Sequence, residues 1–329
     1  MTERENALIA LNHGVPEWVP WRGDSTYMVG STTVHENGQV DDYKRGIGGM
    51  DDWGVEWILP NPDAKGQAFP LHKTFVMDDI TKWREQVRIP DVDAMDWEGA
   101  PARELADYHG DKLLVYFDTE GLFNRLTDLM GMEEALCALL TEPEACEEFF
   151  SAVADYKIKI VKKAAQYLKP DVFCYMDDVA SANGLLMSPS LWRKLIKPHH
   201  ARIISAICEC GMIPEQHCCG KCEAIVPDFV EMGCQAWIPA QKINNLEDIQ
   251  FRFGKQLCLD GGVDSSGGKC FQPSGTYQDG VDEVHRCLDS YAKNGNYMLH
   301  AFFFGPEGGK RGFIEEATRY GKSFYQRTP

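Results

Sequence analysis

The chain has 329 residues, 44% of them hydrophobic and 25% charged, enough to bury a large core in an ordinary globular fold. Its 33 basic and 50 acidic side chains leave a formal charge of −17, which argues against nucleic acid or an anionic membrane as a partner. No apolar run approaches the roughly 18 residues of a membrane span, and the start Met1-Thr2-Glu3-Arg4-Glu5-Asn6 is polar. The expectation is a cytoplasmic protein whose twelve cysteines are mostly thiols.

In chain order, residues 2–12 place Ala7, Leu8 and Leu11 at helical spacing, closed by Asn12-His13-Gly14. Val15 to Trp21 reads as a short extended segment, held to an edge or strand start by its prolines. Residues 22–80 are rich in Gly, Asp, Pro and Trp and read as a long excursion with one strand near 54–59, a lid or wall of a site. From about residue 112 a regular rhythm sets in. Strands are expected at 113–117, 171–176, 212–217, 234–239, 256–260 and 296–302. Helices are expected at 131–140, 143–168, 188–210, 221–232, 245–253, 278–293 and 313–326. Gly211, Gly233, Gly254 and Gly295 stand where helices should end. Strand–helix alternation with short connections is the pattern of a parallel sheet. Seven or eight strands at this length favour a (β/α)8 TIM barrel, a single domain over 1–329 with an N-terminal excursion.

Barrel active sites sit at the C-terminal strand ends. Asp177, Asp178, His217, Gln241, Asp260 and His300 all fall at or just past such ends. The densest cluster is Pro214-Glu215-Gln216-His217-Cys218-Cys219-Gly220-Lys221-Cys222. His217 and Cys219 stand two apart, so on extended backbone their side chains leave the same face. Imidazole and thiolate are preferred zinc ligands, and this pair could supply two of a catalytic zinc's three. Two other readings stand beside it. The cysteines could be small buried hydrophobes around a structural histidine. Cys219-Gly220-Lys221-Cys222 could be a redox Cys-x-x-Cys at a helix start. Asp177-Asp178 could bind substrate, act as a general acid, or simply cap a helix. Gly261-Gly262-Val263-Asp264-Ser265-Ser266-Gly267-Gly268 lacks both the Walker and the dinucleotide spacing and reads as a flexible loop. Aromatic residues at 18, 21, 27, 53 and 57 could wall a pocket or belong to the core.

Taken together, these stretches resemble the uroporphyrinogen decarboxylase superfamily. The resemblance is carried by Met176-Asp177-Asp178-Val179-Ala180, by Ser188-Pro189 through His199-His200, and by His217-Cys218-Cys219-Gly220. Ala240-Gln241 with Asn244-Asn245-Leu246, Phe253-Gly254, Leu259-Asp260-Gly261-Gly262-Val263-Asp264 and Asn296-Tyr297-Met298-Leu299 extend it, as do Asp79 to Trp83 and Pro90-Asp91. The His-x-Cys-Gly stretch is similar to the corrinoid-dependent methyltransferase branch, and within it to the methyltransferases of O-demethylase systems that act on methoxylated aromatics such as veratrol. The resemblance implies a (β/α)8 barrel, a zinc ion on His217 and Cys219, and a corrinoid protein as partner. It implies transfer of a methyl group from an O-methyl substrate to Co(I), with Asp178, Gln241 and His300 orienting substrate or relaying a proton. The branch's distant third cysteine falls on Phe303 here, which leaves Cys222, Asp260 or His300 to complete the site. Methyl transfer from a methyl-corrinoid to a thiol, a decarboxylase, and a non-catalytic small-molecule binder are the alternatives.

Overall fold

Helix α1 (Glu3–Leu11) begins at a capping box: the Thr2 hydroxyl accepts the Glu5 amide, and the Glu5 carboxylate accepts the Thr2 amide. The computed structural model describes residues 1–30, 49–58, 69–71 and 74–327; the rest of the expected excursion lies outside the described residues. Seven strands follow: β1 (Thr26–Gly30), β2 (Leu113–Asp118), β3 (Val172–Met176), β4 (Ile213–His217), β5 (Ala236–Ala240), β6 (Cys258–Gly262) and β7 (Tyr297–His300). They form one sheet in that order, each neighbouring pair parallel. Trp21 makes a parallel bridge to Leu299, and the Pro20 carbonyl accepts the Leu299 amide at 2.9 Å. The segment just ahead of β1 therefore lies along β7 and continues the ring. This is the expected (β/α)8 TIM barrel, its eighth position reduced to a single bridge.

Among the described residues the longer helices after α1 are α2 (Leu122–Met130), α3 (Met132–Thr141), α4 (Pro143–Tyr167), α5 (Pro189–Leu195), α6 (Lys197–Glu209), α7 (Val226–Met232), α8 (Leu246–Phe253), α9 (Tyr277–Tyr291) and α10 (Glu307–Arg327). Two depart from expectation. Helix α2 was not anticipated, although Leu122, Phe123, Leu126, Leu129 and Met130 form its buried stripe. The expected helix over 188–210 is two helices, because Pro198 has no amide to continue the ladder and sits instead in the first turn of α6. The strand expected near 54–59 is Glu56–Ile58, paired antiparallel with Gly49–Met50 and Phe69–Pro70.

Side-chain alternation splits the sheet's two faces. Outward residues such as Tyr116, Phe173, Tyr175, Trp237 and Leu259 pack under the helices. Inward residues Leu113, Val115, Val172, Cys174, Ala236, Ile238, Cys258 and Met298 make a second apolar cluster with Ala7, Ala10 and Leu11 of α1. Helix α1 thus plugs the N-terminal end of the barrel. Asn6, fully buried, ties that plug to the following segment, donating to the Trp18 carbonyl at 2.9 Å and accepting the Glu17 amide at 2.8 Å. No helix among the described residues is long and apolar enough to cross a membrane.

Candidate active site

At the opposite end of the barrel, the parallel register of β3 and β4 sets Met176 beside His217. The two residues that follow each strand then meet. The Cys219 amide donates to Asp178 Oδ1 at 2.6 Å. Cys219 Sγ lies 3.4 Å from His217 Nε2, and Asp178 Oδ1 lies 3.8 Å from the same nitrogen. One ligand atom from each of Asp178, His217 and Cys219 falls within 4.8 Å of the others.

The turn that presents Cys219 is held from two sides. Gly220 has φ +86, and a Cβ there would come 2.7 Å from the Ala180 carbonyl oxygen, so the chain passes close over the loop after β3. From the other side, Gln241 Oε1 accepts the Gly220 amide at 2.6 Å, and Asn244 Oδ1 accepts the Cys222 and Glu223 amides at 2.9 Å each.

Burial dominates the electrostatics at this point. Burial lowers the His217 pKa against the opposing pull of Asp178, which keeps the ring neutral and able to coordinate. Burial, and then Asp178, push the Cys219 thiol up. That is the reverse of the depressed thiol a redox Cys-x-x-Cys needs. A divalent ion among these three atoms would remove the penalty on the thiolate. Imidazole, thiolate and carboxylate in one cluster fit zinc.

The cluster opens into a cavity of about 500 Å3. Its apolar walls come from Phe117, Met176, Pro239, Val263, Phe302 and Phe304, and its polar edge from Thr119, Glu120, Gln241, Ser265 and His300 beside the cluster itself. Phe117 and Phe302 flank the His217 ring at 5.4 and 6.2 Å between centroids. Burial, with Arg22 and His217 adding to it, drives the His300 pKa well down, so this imidazole is neutral; its buried Nε2 has no hydrogen-bond partner among the described residues. Gln241 turns its Nε2 toward Ser265 Oγ at 3.4 Å.

Of the residues singled out in the sequence, Asp178, His217, Cys219, Gln241 and His300 line this cavity together. Cys222 lies apart, fully buried with its Sγ 3.9 Å from the Cys218 carbonyl oxygen. Asp177 turns away from the cavity to accept the Phe123 and Asn124 amides. Asp260 lies deeper in the barrel against Arg22 and Glu215. Phe303 stacks on Phe271 at 4.4 Å, and Asp178, not a further cysteine, is the third group beside His217 and Cys219. The aromatic wall comes from Phe117, Phe302 and Phe304; Trp53 and Trp57 are core residues.

Among the buried charges that escaped sequence reasoning are Arg22 and Glu215, beneath the cluster. Arg22 NH1 and NH2 donate to Glu215 at 2.9 and 2.8 Å, and NH1 also donates to Asp260. Burial opposes the charge on Arg22, yet Glu215 and Asp260 outweigh it and hold the guanidinium above its ordinary value. Glu215 had a signal: it precedes His217 by two in a strand and so shares its inward face. Arg22 had none, lying in a stretch with no readable period.

Comparison with known proteins supports the fold and its family. A solved structure, a methyltransferase from Methanosarcina mazei, superposes with a TM-score of 0.67 at 15% identity, covering 97% of this chain and 99% of that one. No curated protein sequence matches. The family model for uroporphyrinogen decarboxylase (URO-D) matches residues 72–301, which span β2 to β7 and every residue of the cluster. The chain belongs to the uroporphyrinogen decarboxylase (URO-D) family.

Proposed function

We propose that this chain is a corrinoid-dependent methyltransferase that moves a methyl group from an O-methyl substrate, a methoxylated aromatic, to the Co(I) of a separate corrinoid protein. The observation that carries this reading is the Asp178–His217–Cys219 cluster opening into a largely apolar cavity. Zinc, held by His217, Cys219 and Asp178, would supply a Lewis acid for the ether oxygen, which an unactivated aryl ether needs because its phenolate leaves poorly. The apolar walls bind the ring and exclude water. Gln241 and Ser265 orient the substrate's polar edge. His300, neutral and with Nε2 unpartnered, hydrogen-bonds the oxygen as its bond to the methyl carbon breaks. The bonding pair stays with that oxygen, and the acceptor's own pair makes the new bond to carbon.

The donor set bears on the alternatives. A carboxylate in place of a second thiolate donates less electron density, which suits an oxygen leaving group better than activation of a thiol. Among the described residues, no Lys or Arg lines the cavity, whereas a polycarboxylate substrate for decarboxylation would need several. A similarly folded neighbour named as a methyltransferase favours the same branch. The test is transfer from a methoxylated aromatic to Co(I), followed by cobalt absorbance, with metal content measured alongside. Chelation, or His217→Ala, should reduce the rate by about 100–1,000-fold, as loss of a principal electrostatic stabiliser does. Full activity in a metal-free preparation would overturn the mechanism.

A further inference from the structure

Asp178 follows Asp177 at the end of β3, and its carboxylate is held at the cluster by the Cys219 amide, which it accepts at 2.6 Å. Its backbone is held as well. The Asp177 amide donates to the His217 carbonyl oxygen at 3.1 Å, and the Asp178 amide donates to Asn124 Oδ1 at 2.6 Å. The 177–178 peptide is thereby fixed between β4 on one side and α2 on the other.

Asn124 is in turn held firmly. It is the third residue of α2, and the Asp177 carboxylate accepts the amides of Phe123 and Asn124 at 3.0 and 2.9 Å, placing a negative charge at the positive end of that helix. The other Asp177 oxygen lies 2.8 Å from His200 Nε2. Asp177 and His200 are 0% and 1% exposed, and the His200 ring stands edge-on to Tyr175 and Trp192. Gly121, ahead of α2, passes so close that a Cβ there would meet the Asp177 Cβ at 2.5 Å. The circuit closes on itself: Asp177 sets the start of α2, α2 sets Asn124, and Asn124 sets the peptide that aims Asp178 at the cluster.

We infer that Asn124 is a positioning residue for the metal centre, holding the Asp178 carboxylate beside His217 and Cys219 through a hydrogen bond to the Asp178 backbone, with the buried Asp177–His200 pair as its anchor. The inference rests on reading Asp178 as a metal ligand. Groups behind a ligand commonly change metal affinity by about 10–100-fold when removed.

The experiment measures affinity of the metal-free chain for Zn2+ against a competing chelator, and the visible absorption of the Co2+ form. The variants are Asn124→Ala, Asn124→Asp, which keeps the acceptor, and Asp178→Ala. Asn124→Ala should weaken Zn2+ binding about 10-fold or more and shift the Co2+ bands toward those of Asp178→Ala. Asn124→Asp should recover most of the affinity and the wild-type bands. Wild-type affinity in Asn124→Ala, or equal weakening in both Asn124 variants, would overturn the inference while leaving Asp178 as a ligand. Wild-type affinity in Asp178→Ala would instead remove Asp178 from the metal site and this inference with it. Should Asn124→Ala fail to fold, Asn124→Ser, too short to reach the Asp178 amide, takes its place with the same expected outcomes.

Discussion

The two ends of the barrel are built from the same strands and have opposite characters. At the N-terminal end the inward positions are apolar and α1 seals them, so Leu11, Leu113, Val115 and Met298 exclude water completely. At the C-terminal end the inward positions become Phe117, Met176, His217 and His300, and the chain opens into a cavity. Between them lies a charged layer in which Arg22 is shared by Glu215 and Asp260. The same turn that brings Trp21 against β7 delivers this arginine, so closing the ring and charging its interior are one event in the chain. The contrast shows how a barrel separates its tasks: the sealed half supplies stability, and the open half is free to hold polar groups that a core would not tolerate.

The largest effect should come from breaking the layer between the halves. Arg22→Ala would leave two carboxylates buried without their cation, and removing one partner of a buried ion pair costs about 3–5 kcal/mol. Urea unfolding should show a loss of that size. A loss below about 1 kcal/mol would mean that the layer is not sustained by Arg22.

Truncating the plug tests the sealed half alone. Leu11 is 1% exposed within the interior cluster, so Leu11→Ala should cost about 2–4 kcal/mol through lost contacts and a residual cavity. The affinity of the Asp178–His217–Cys219 cluster for Zn2+ should stay unchanged, because the plug touches neither β3 nor β4 beyond their N-terminal portions. A fall in metal affinity that tracks the fall in stability would erase the distinction between the two ends.

The sequence revealed these two ends unequally. Strand–helix alternation from residue 112 onward made the barrel readable, because inward and outward apolar positions recur at fixed periods and glycines end the helices. His217 and Cys219 were readable as a pair from their spacing of two, although β4 ends at His217 and Cys219 sits in the turn that follows. Asp178 was placed at the rim beside them, but which of Asp177 and Asp178 faces the pair was not foreseeable, since that is decided by Asp177 turning to accept the Phe123 and Asn124 amides. Cys222 looked like a ligand by proximity in sequence, yet Gly220 turns the chain and Asn244 captures the Cys222 amide, which sends its thiol into the core. Arg22 and Asn124 were invisible because each acts through a contact remote in sequence, on Glu215 and on Asp178 respectively.

The finest test of the charged layer is its proton. Burial pushes the Asp260 carboxyl up to about 7, with Arg22 pulling it down and Glu215 pushing it further up, from an ordinary value of 3.8. Buried beside a second carboxylate, Asp260 retains its proton. Between about pH 4 and 7 the folded chain therefore holds a proton that the unfolded chain has released, so this group's contribution to stability falls as pH rises through that window. One proton gives a slope of at most about 1.4 kcal/mol per pH unit. His217 and His300, both held neutral by burial, act in the opposite sense: the unfolded chain binds their protons first as pH falls, so their contribution grows with pH. The two trends offset in wild type, and the informative quantity is the difference from Asp260→Asn, which keeps both histidines and has no proton to release. Urea midpoints measured at pH 5 and pH 7 should show the wild type losing on the order of 1–3 kcal/mol relative to the variant as pH rises. A difference that stays constant across that range would place the proton elsewhere and leave Asp260 a simple ion-pair partner of Arg22.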